Sequence, residues 1–241
     1  MLTQWFDIAS LADPSHRRDK QLRGLAESAR EILALIRDEA GRVGRGNIVL
    51  GGLSQGGAMA LICLLALSAG ESRLGGFVAM STWLPFQDEI EGVAGTAATT
   101  EEEDGDENPF SSSEAEPGTQ DPATAVREYV RDLINLAEEE EEGVVGTSGA
   151  SSALSSALSS VLLSTPVFLG HGAADDKVCH ALGMDACRAM RPAGFQVTWR
   201  SYEEQGHWYR IPDEIDDLVH FIRDEVGWRG EDYSDKSTLS L

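Results

Sequence analysis

"VLGGLSQGGAMAL", Val49 to Leu61, sets one serine, Ser54, between Gly52 and Gly56, directly after a short apolar run. A strand that turns sharply into a helix can present such a serine as a nucleophile. The turn is tight, and glycines two residues to either side remove the side chains that would clash. In a chain with 25 glycines the pentapeptide alone decides little. Its neighbours decide more. "NIVLGG" before it reads as a buried strand, and "QGGAMALICLLALSA" after it is apolar on nearly every side, as a fully covered helix must be.

A serine hydroxyl is a weak nucleophile near neutral pH and needs a base, which in turn needs an orienting acid. Two later loops can supply them. "FLGHGAADD" places Asp175 and Asp176 just past the apolar strand "TPVFLGHG". "WRSYEEQGHWYR" places His207 just past the alternating strand "FQVTWRSY". From the residues alone either aspartate fits. "GGFVAMS" reads as a further strand. Helical spacing of Leu22, Leu25, Ala29, Ile32, Leu33 and Ile36 predicts a helix to about residue 40, with Asp13 and Pro14 as its start. "DKVCHALGMDACRAM" and "IPDEIDDLVHFIRDEVG" predict two more. Strands alternating with helices imply an α/β fold, a mostly parallel sheet with helices on both faces. Serine, acid and base then all fall at the carboxyl edge of that sheet, where open α/β folds bind ligands.

The remaining composition narrows the function. The 241 residues carry a formal charge of -22, which argues against nucleic-acid partners because phosphates would be repelled. Nineteen acidic and two basic residues between 88 and 142 hold -17 of that charge. Residues 88–163, with "TTEEEDGDENPFSSSEAEPG" and "SSALSSALSS", therefore read as an acidic, low-complexity insertion, largely disordered, and most strongly so over 95–120 and 140–160. One amphipathic helix, "DPATAVREYVRDLINLAEE", is expected inside it. The domain so divides into 1–87, the insertion 88–163, a closing part 164–228 and a flexible tail 229–241. Three cysteines without a CxxC pair predict free thiols and a reducing compartment. The start "MLTQWFDIAS" lacks the pattern of a signal peptide, and no run is long enough to span a membrane, so a cytoplasmic location is expected. No cluster has metal-ligand spacing, and no metal is expected. His171 reads as a structural loop histidine, and His16, His180 and His220 as surface positions.

Taken together, "GGLSQGGAMAL", "STWLP", "HGAADDKV" and "YEEQGH" resemble the acyl-protein thioesterase and phospholipase/carboxylesterase family of α/β-hydrolases. The resemblance covers roughly residues 5–86 and 164–226. It implies a serine hydrolase of acyl thioesters or carboxylic esters that uses no cofactor. It implies Ser54 as nucleophile, His207 as base and Asp175 as triad acid, since Val178 falls at the family's matching place. It implies the Gln55 N–H as oxyanion donor, and Trp83 and Leu84, with Pro85, beside the acyl site. Acylated (palmitoylated) proteins, small acyl esters or lysophospholipids are the implied substrates, with transient membrane-surface contact. The family's second oxyanion donor comes from an HGxGD-type loop upstream of "WFDI", and no such motif precedes Ser54 here. The expectation is therefore an α/β-hydrolase with its N-terminal strands missing and "NIVLGG" as a sheet edge. The alternative is a truncated, catalytically impaired hydrolase fragment that acts as a non-catalytic binding module or has no function.

Overall fold

A computed structural model describes residues 4–67, 73–99, 121–136 and 164–228. Four strands form one parallel sheet: β1 (Val49–Leu53), β2 (Gly76–Met80), β3 (Val167–Gly172) and β4 (Val197–Tyr202), in the order β1-β2-β3-β4. Val49 pairs with Gly76, Phe77 with Val167, and Val167 with Val197. β2 and β3 are buried along almost their whole length, which their unbroken apolar runs require. The two outer strands are only partly covered.

One face of the sheet carries most of the core. Helix α2 (Gln55–Ala66) is buried from Gly57 to Ala66. It lies between the sheet and α1 (Gln21–Val43), which turns Leu25, Ala29 and Ile36 inward. α5 (His180–Met190) joins the same cluster through Ala186, Cys187 and Met190. Burial pushes the Cys63 thiol in this cluster up to about 12, which leaves it an inert core residue. The opposite face is covered by α6 (Asp213–Asp224). Phe221 and Val226 pack there on Val78 and Phe168, with the two phenylalanine rings 5.5 Å apart.

Two expectations change. α1 does not start at Asp13. The Asp13 carboxylate accepts the Ser15 N–H at 3.1 Å and closes a local turn, which competes with helix initiation. The helix begins at Gln21, whose side chain is buried and donates to Pro14 O at 2.6 Å. Second, residues 88–99 are not open insertion. Gln87–Thr99 forms α3, with Ile90 and Ala94 buried in the main core and Asp88 and Glu89 favourably placed in its first turn. α3 packs on α4 (Pro122–Leu133), the amphipathic helix, whose Asp121 cap accepts the Thr124 N–H at 3.2 Å. The rest of the acidic stretch, 100–120 and 137–163, and the tail from 229 lie outside the described residues. Among the described residues no helix is long and apolar enough to cross a membrane.

Candidate active site

Ser54 sits between β1 and α2 with φ 55° and ψ −125°, a region that costs a non-glycine residue of order 1–3 kcal/mol. The surroundings impose it. The Ser54 N–H donates to Met80 O at 2.9 Å, and its carbonyl accepts from the Ala58 N–H at 3.1 Å and from Thr82 Oγ1 at 2.8 Å. A side chain on Gly52 would overlap the Gly56 carbonyl carbon, so the turn can form only with glycine at 52. The second steric requirement falls on Gly57, where a Cβ would come within 2.9 Å of Thr82, and not on Gly56. Ser54 occupies the N-cap of α2, yet its side chain makes no capping bond. Its Oγ turns instead toward the carboxyl edge of the sheet.

There it lies 3.0 Å from His207 Nε2, and His207 Nδ1 lies 2.9 Å from Asp175 Oδ2. A carboxylate only accepts, so His207 carries its proton on Nδ1 and leaves Nε2 free to take the serine proton. Asp175 follows β3 and His207 follows β4, one loop past each strand. Asp175 Oδ1 accepts the Lys177 N–H at 2.8 Å and the Val178 N–H at 3.0 Å. Burial by itself would raise the Asp175 carboxyl. The bonds from His207, Val178 and Lys177 outweigh it and hold the group below the usual carboxylate range. Asp176 stands away from this, 73% exposed beside Lys177.

Gln55 is the first residue of α2, where an N–H has no acceptor inside the helix and can serve an external oxyanion. Its side chain has a separate task. Oε1 accepts the Trp5 N–H at 3.1 Å and Nε2 donates to Phe6 O at 2.8 Å, which ties residues 5–6 to the serine turn. Trp83 and Leu84 are buried, and Trp83 meets Phe6 edge-on at 6.3 Å. They line a cavity of about 260 Å³ with Asp13, Arg18, Glu89 and Asp185 among its other walls. Ser54, Asp175 and His207 are not among the residues that line this cavity.

Sequence reasoning missed two close neighbours. His171 is not a loop residue: it belongs to β3 and is fully buried. Its Nε2 approaches Val178 O at 3.0 Å and Asp175 Oδ2 at 3.3 Å. A carbonyl can only accept, so this nitrogen bears the proton and the second contact is a donation to the carboxylate. Burial lowers the His171 pKa and keeps the ring neutral. Thr82 was also passed over, although it stands in the quoted "STWLP"; a threonine next to a tryptophan carries no pattern that announces a bond to Ser54.

Residues 1–102 match a family model described as phospholipase/carboxylesterase. Acyl-protein thioesterase 1 of Gibberella zeae is 24% identical over 226 residues, which cover 92% of this chain and 68% of that protein. Acyl-protein thioesterase 1 of Cryptococcus neoformans is 33% identical over 90 residues, 37% of each, so the chain spans little more than a third of that relative's length in the match. Among solved structures, SOBER1 of Arabidopsis thaliana matches with a TM-score of 0.55 at 19% identity, over 92% of this chain and 74% of that one. Acyl-protein thioesterase 2 of Zea mays matches with a TM-score of 0.53 at 21% identity, over 93% and 73%. At such identities the structural likeness speaks for the fold alone. The parallel sheet and the strand-to-helix turn at Ser54 are those of an α/β-hydrolase fold, and residues 1–102 of the chain are similar to the phospholipase/carboxylesterase family.

Proposed function

We propose that the chain is a serine hydrolase of acyl thioesters and carboxylic esters, with Ser54, His207 and Asp175 as its catalytic residues. The observation that carries this reading is the unbroken line from Ser54 Oγ through the His207 ring to Asp175 Oδ2, at 3.0 and 2.9 Å. Ser54 Oγ attacks the acyl carbonyl carbon as its proton passes to His207 Nε2. Asp175 holds the ring in place and stabilises the imidazolium. The Gln55 N–H faces the developing oxyanion, a contribution worth roughly 10²–10³ in turnover for one donor. The C–S or C–O bond then breaks, and the leaving thiol or alcohol takes the proton from Nε2. Water attacks the acyl-enzyme, giving its proton to His207, and the acid departs as Ser54 is reprotonated. The names of the Gibberella and Cryptococcus relatives favour acylated proteins as the physiological substrate class.

The test is covalent labelling with a fluorophosphonate probe beside turnover of a p-nitrophenyl ester and an acyl thioester. Wild type should label once and turn over. Ser54→Ala should lose both. Undiminished labelling in Ser54→Ala would place the nucleophile elsewhere.

A further inference from the structure

The loop that carries His207 has little packing to hold it. From Glu203 to Asp213 the side chains are exposed or half-exposed, with one exception: Gln205 is buried. A histidine that must meet a serine at 3.0 Å needs its loop fixed by something other than hydrophobic contact, so the partners of Gln205 matter.

They lead to one side chain. Glu214, in the first turn of α6, is completely buried. Its Oε2 accepts from Gln205 Nε2 at 2.7 Å and from the Arg210 N–H at 3.2 Å. Those two donors stand on either side of His207, two residues before it and three after. A single oxygen thus grips the loop at both ends. The carboxylate reaches this position because β3 has glycine at 170, where a Cβ would overlap Glu214 Oε1. The grip extends further. The Gln205 carbonyl accepts the Ala174 N–H at 2.9 Å, next to Asp175, and Tyr202 O accepts the Ala173 N–H at 2.8 Å. The loops that bear the acid and the base are stitched together at the residue whose side chain Glu214 holds. Asp217 is a like-charged neighbour, and Arg210 reaches the carboxylate through its backbone N–H. The Arg210 guanidinium is engaged with Glu203 O at 2.5 Å and Asp213 at 2.9 Å, so among the described residues no cation pairs with the buried carboxylate. A buried carboxylate without a cation is costly, and a purely structural role would be served as well by an apolar side chain.

We propose that Glu214 is a positioning residue that holds His207 in reach of Ser54 and Asp175 by accepting hydrogen bonds from both sides of its loop. It rests on the Ser54 hydrolase reading for its kinetic consequence, but not for its geometric one. The essential feature is the acceptor oxygen. An amide oxygen can replace it, and an apolar side chain of similar size cannot.

The experiment compares wild type with Glu214→Gln, Glu214→Leu and Gln205→Leu, each assayed well below its own melting temperature. Misplacing a catalytic group by about 1 Å costs on the order of 10²-fold in rate. We expect Glu214→Leu to lose roughly that in kcat with KM changed less than about twofold, Gln205→Leu to lose a comparable factor, and Glu214→Gln to keep most of the activity. The second readout is the imidazole Nδ1–H proton of His207 by NMR. It should be protected from exchange in wild type and Glu214→Gln and lost in Glu214→Leu. Should Glu214→Leu fail to fold, Gln205→Leu gives the same two readouts. A folded Glu214→Leu or Gln205→Leu with wild-type kcat and a protected Nδ1–H overturns the proposal, as does a Glu214→Gln as impaired as Glu214→Leu. If wild type itself shows no Ser54-dependent turnover, the hydrolase reading fails, and the NMR comparison still decides whether Glu214 holds the ring.

Discussion

Asp175 uses both of its oxygens. Oδ1 is committed to two backbone N–H groups and Oδ2 to His207 and His171. An asparagine there must point its NH₂ at donors on one side or the other, so the ring loses its orientation or the loop loses its turn. Asp175→Asn should therefore cut ester turnover by about 10⁴, the loss seen when the corresponding acid of a well-studied protease becomes its amide. Asp176→Asn, at an exposed surface position, should change it less than about twofold. Steady-state kinetics on the two purified variants checks this, and the reverse ranking would move the acid by one place. The neighbouring pair of aspartates is also where the sequence runs short. Loop position cannot separate two adjacent carboxylates. Only the direction of the turn does, and it points one carboxylate at a ring 32 residues away. His171 was illegible for a similar reason. Nothing in "FLGHG" distinguishes a buried histidine from an idle one, because its partner approaches from four residues downstream in space.

The element that decides the site is the junction of β1 with α2. Its glycines look equivalent in "GGLSQGG", but the structure separates them. Gly52 meets the Gly56 backbone, Gly57 meets Thr82, and a Cβ on Gly56 would meet nothing nearer than Trp5 Nε1 at 3.4 Å. Overpacking costs typically about 1–3 kcal/mol when side chains can give way, and backbone gives less. Gly52→Ala should lower stability by at least that much or abolish folding. Gly56→Ala should stay within about 1 kcal/mol of wild type, since alanine improves helix propensity by a similar amount. Chemical denaturation of the two variants measures the difference. β2 and β3 were readable because buried parallel strands are unbroken apolar runs, and β4 because its residues alternate. α3 was not, because acidic residues crowd its start and small residues its end, and its apolar face of Ile90, Val93 and Ala94 is narrow.

Across the whole molecule, buried ionisable groups set opposing pH responses. The His171 pKa is lowered, mainly by burial, from an ordinary 6.5. The folded chain then binds fewer protons than the unfolded one, so its stability contribution is complete above 6.5 and is lost as pH falls. Glu214 runs the other way. Burial raises it from 4.5, so its contribution is complete below 4.5 and declines as pH rises through the folded value. Between pH 7 and 5 the histidine should govern the difference between wild type and His171→Phe. Melting temperature should fall more steeply with acidification in wild type, and the variant's profile should be flatter; parallel profiles from calorimetry would contradict this.

The sheet order β1-β2-β3-β4 is also the order of the strands along the chain. Ser54 leaves the first strand and His207 follows the last, 153 positions apart, and Asp175 follows the third. The loops that follow these strands carry the three groups back to one point at the carboxyl edge, and the ladders β1-β2, β2-β3 and β3-β4 set where each loop starts. Loosening any one of the three ladders moves them apart. The reactivity of one hydroxyl thus works as a gauge for the scaffold from which all three loops start.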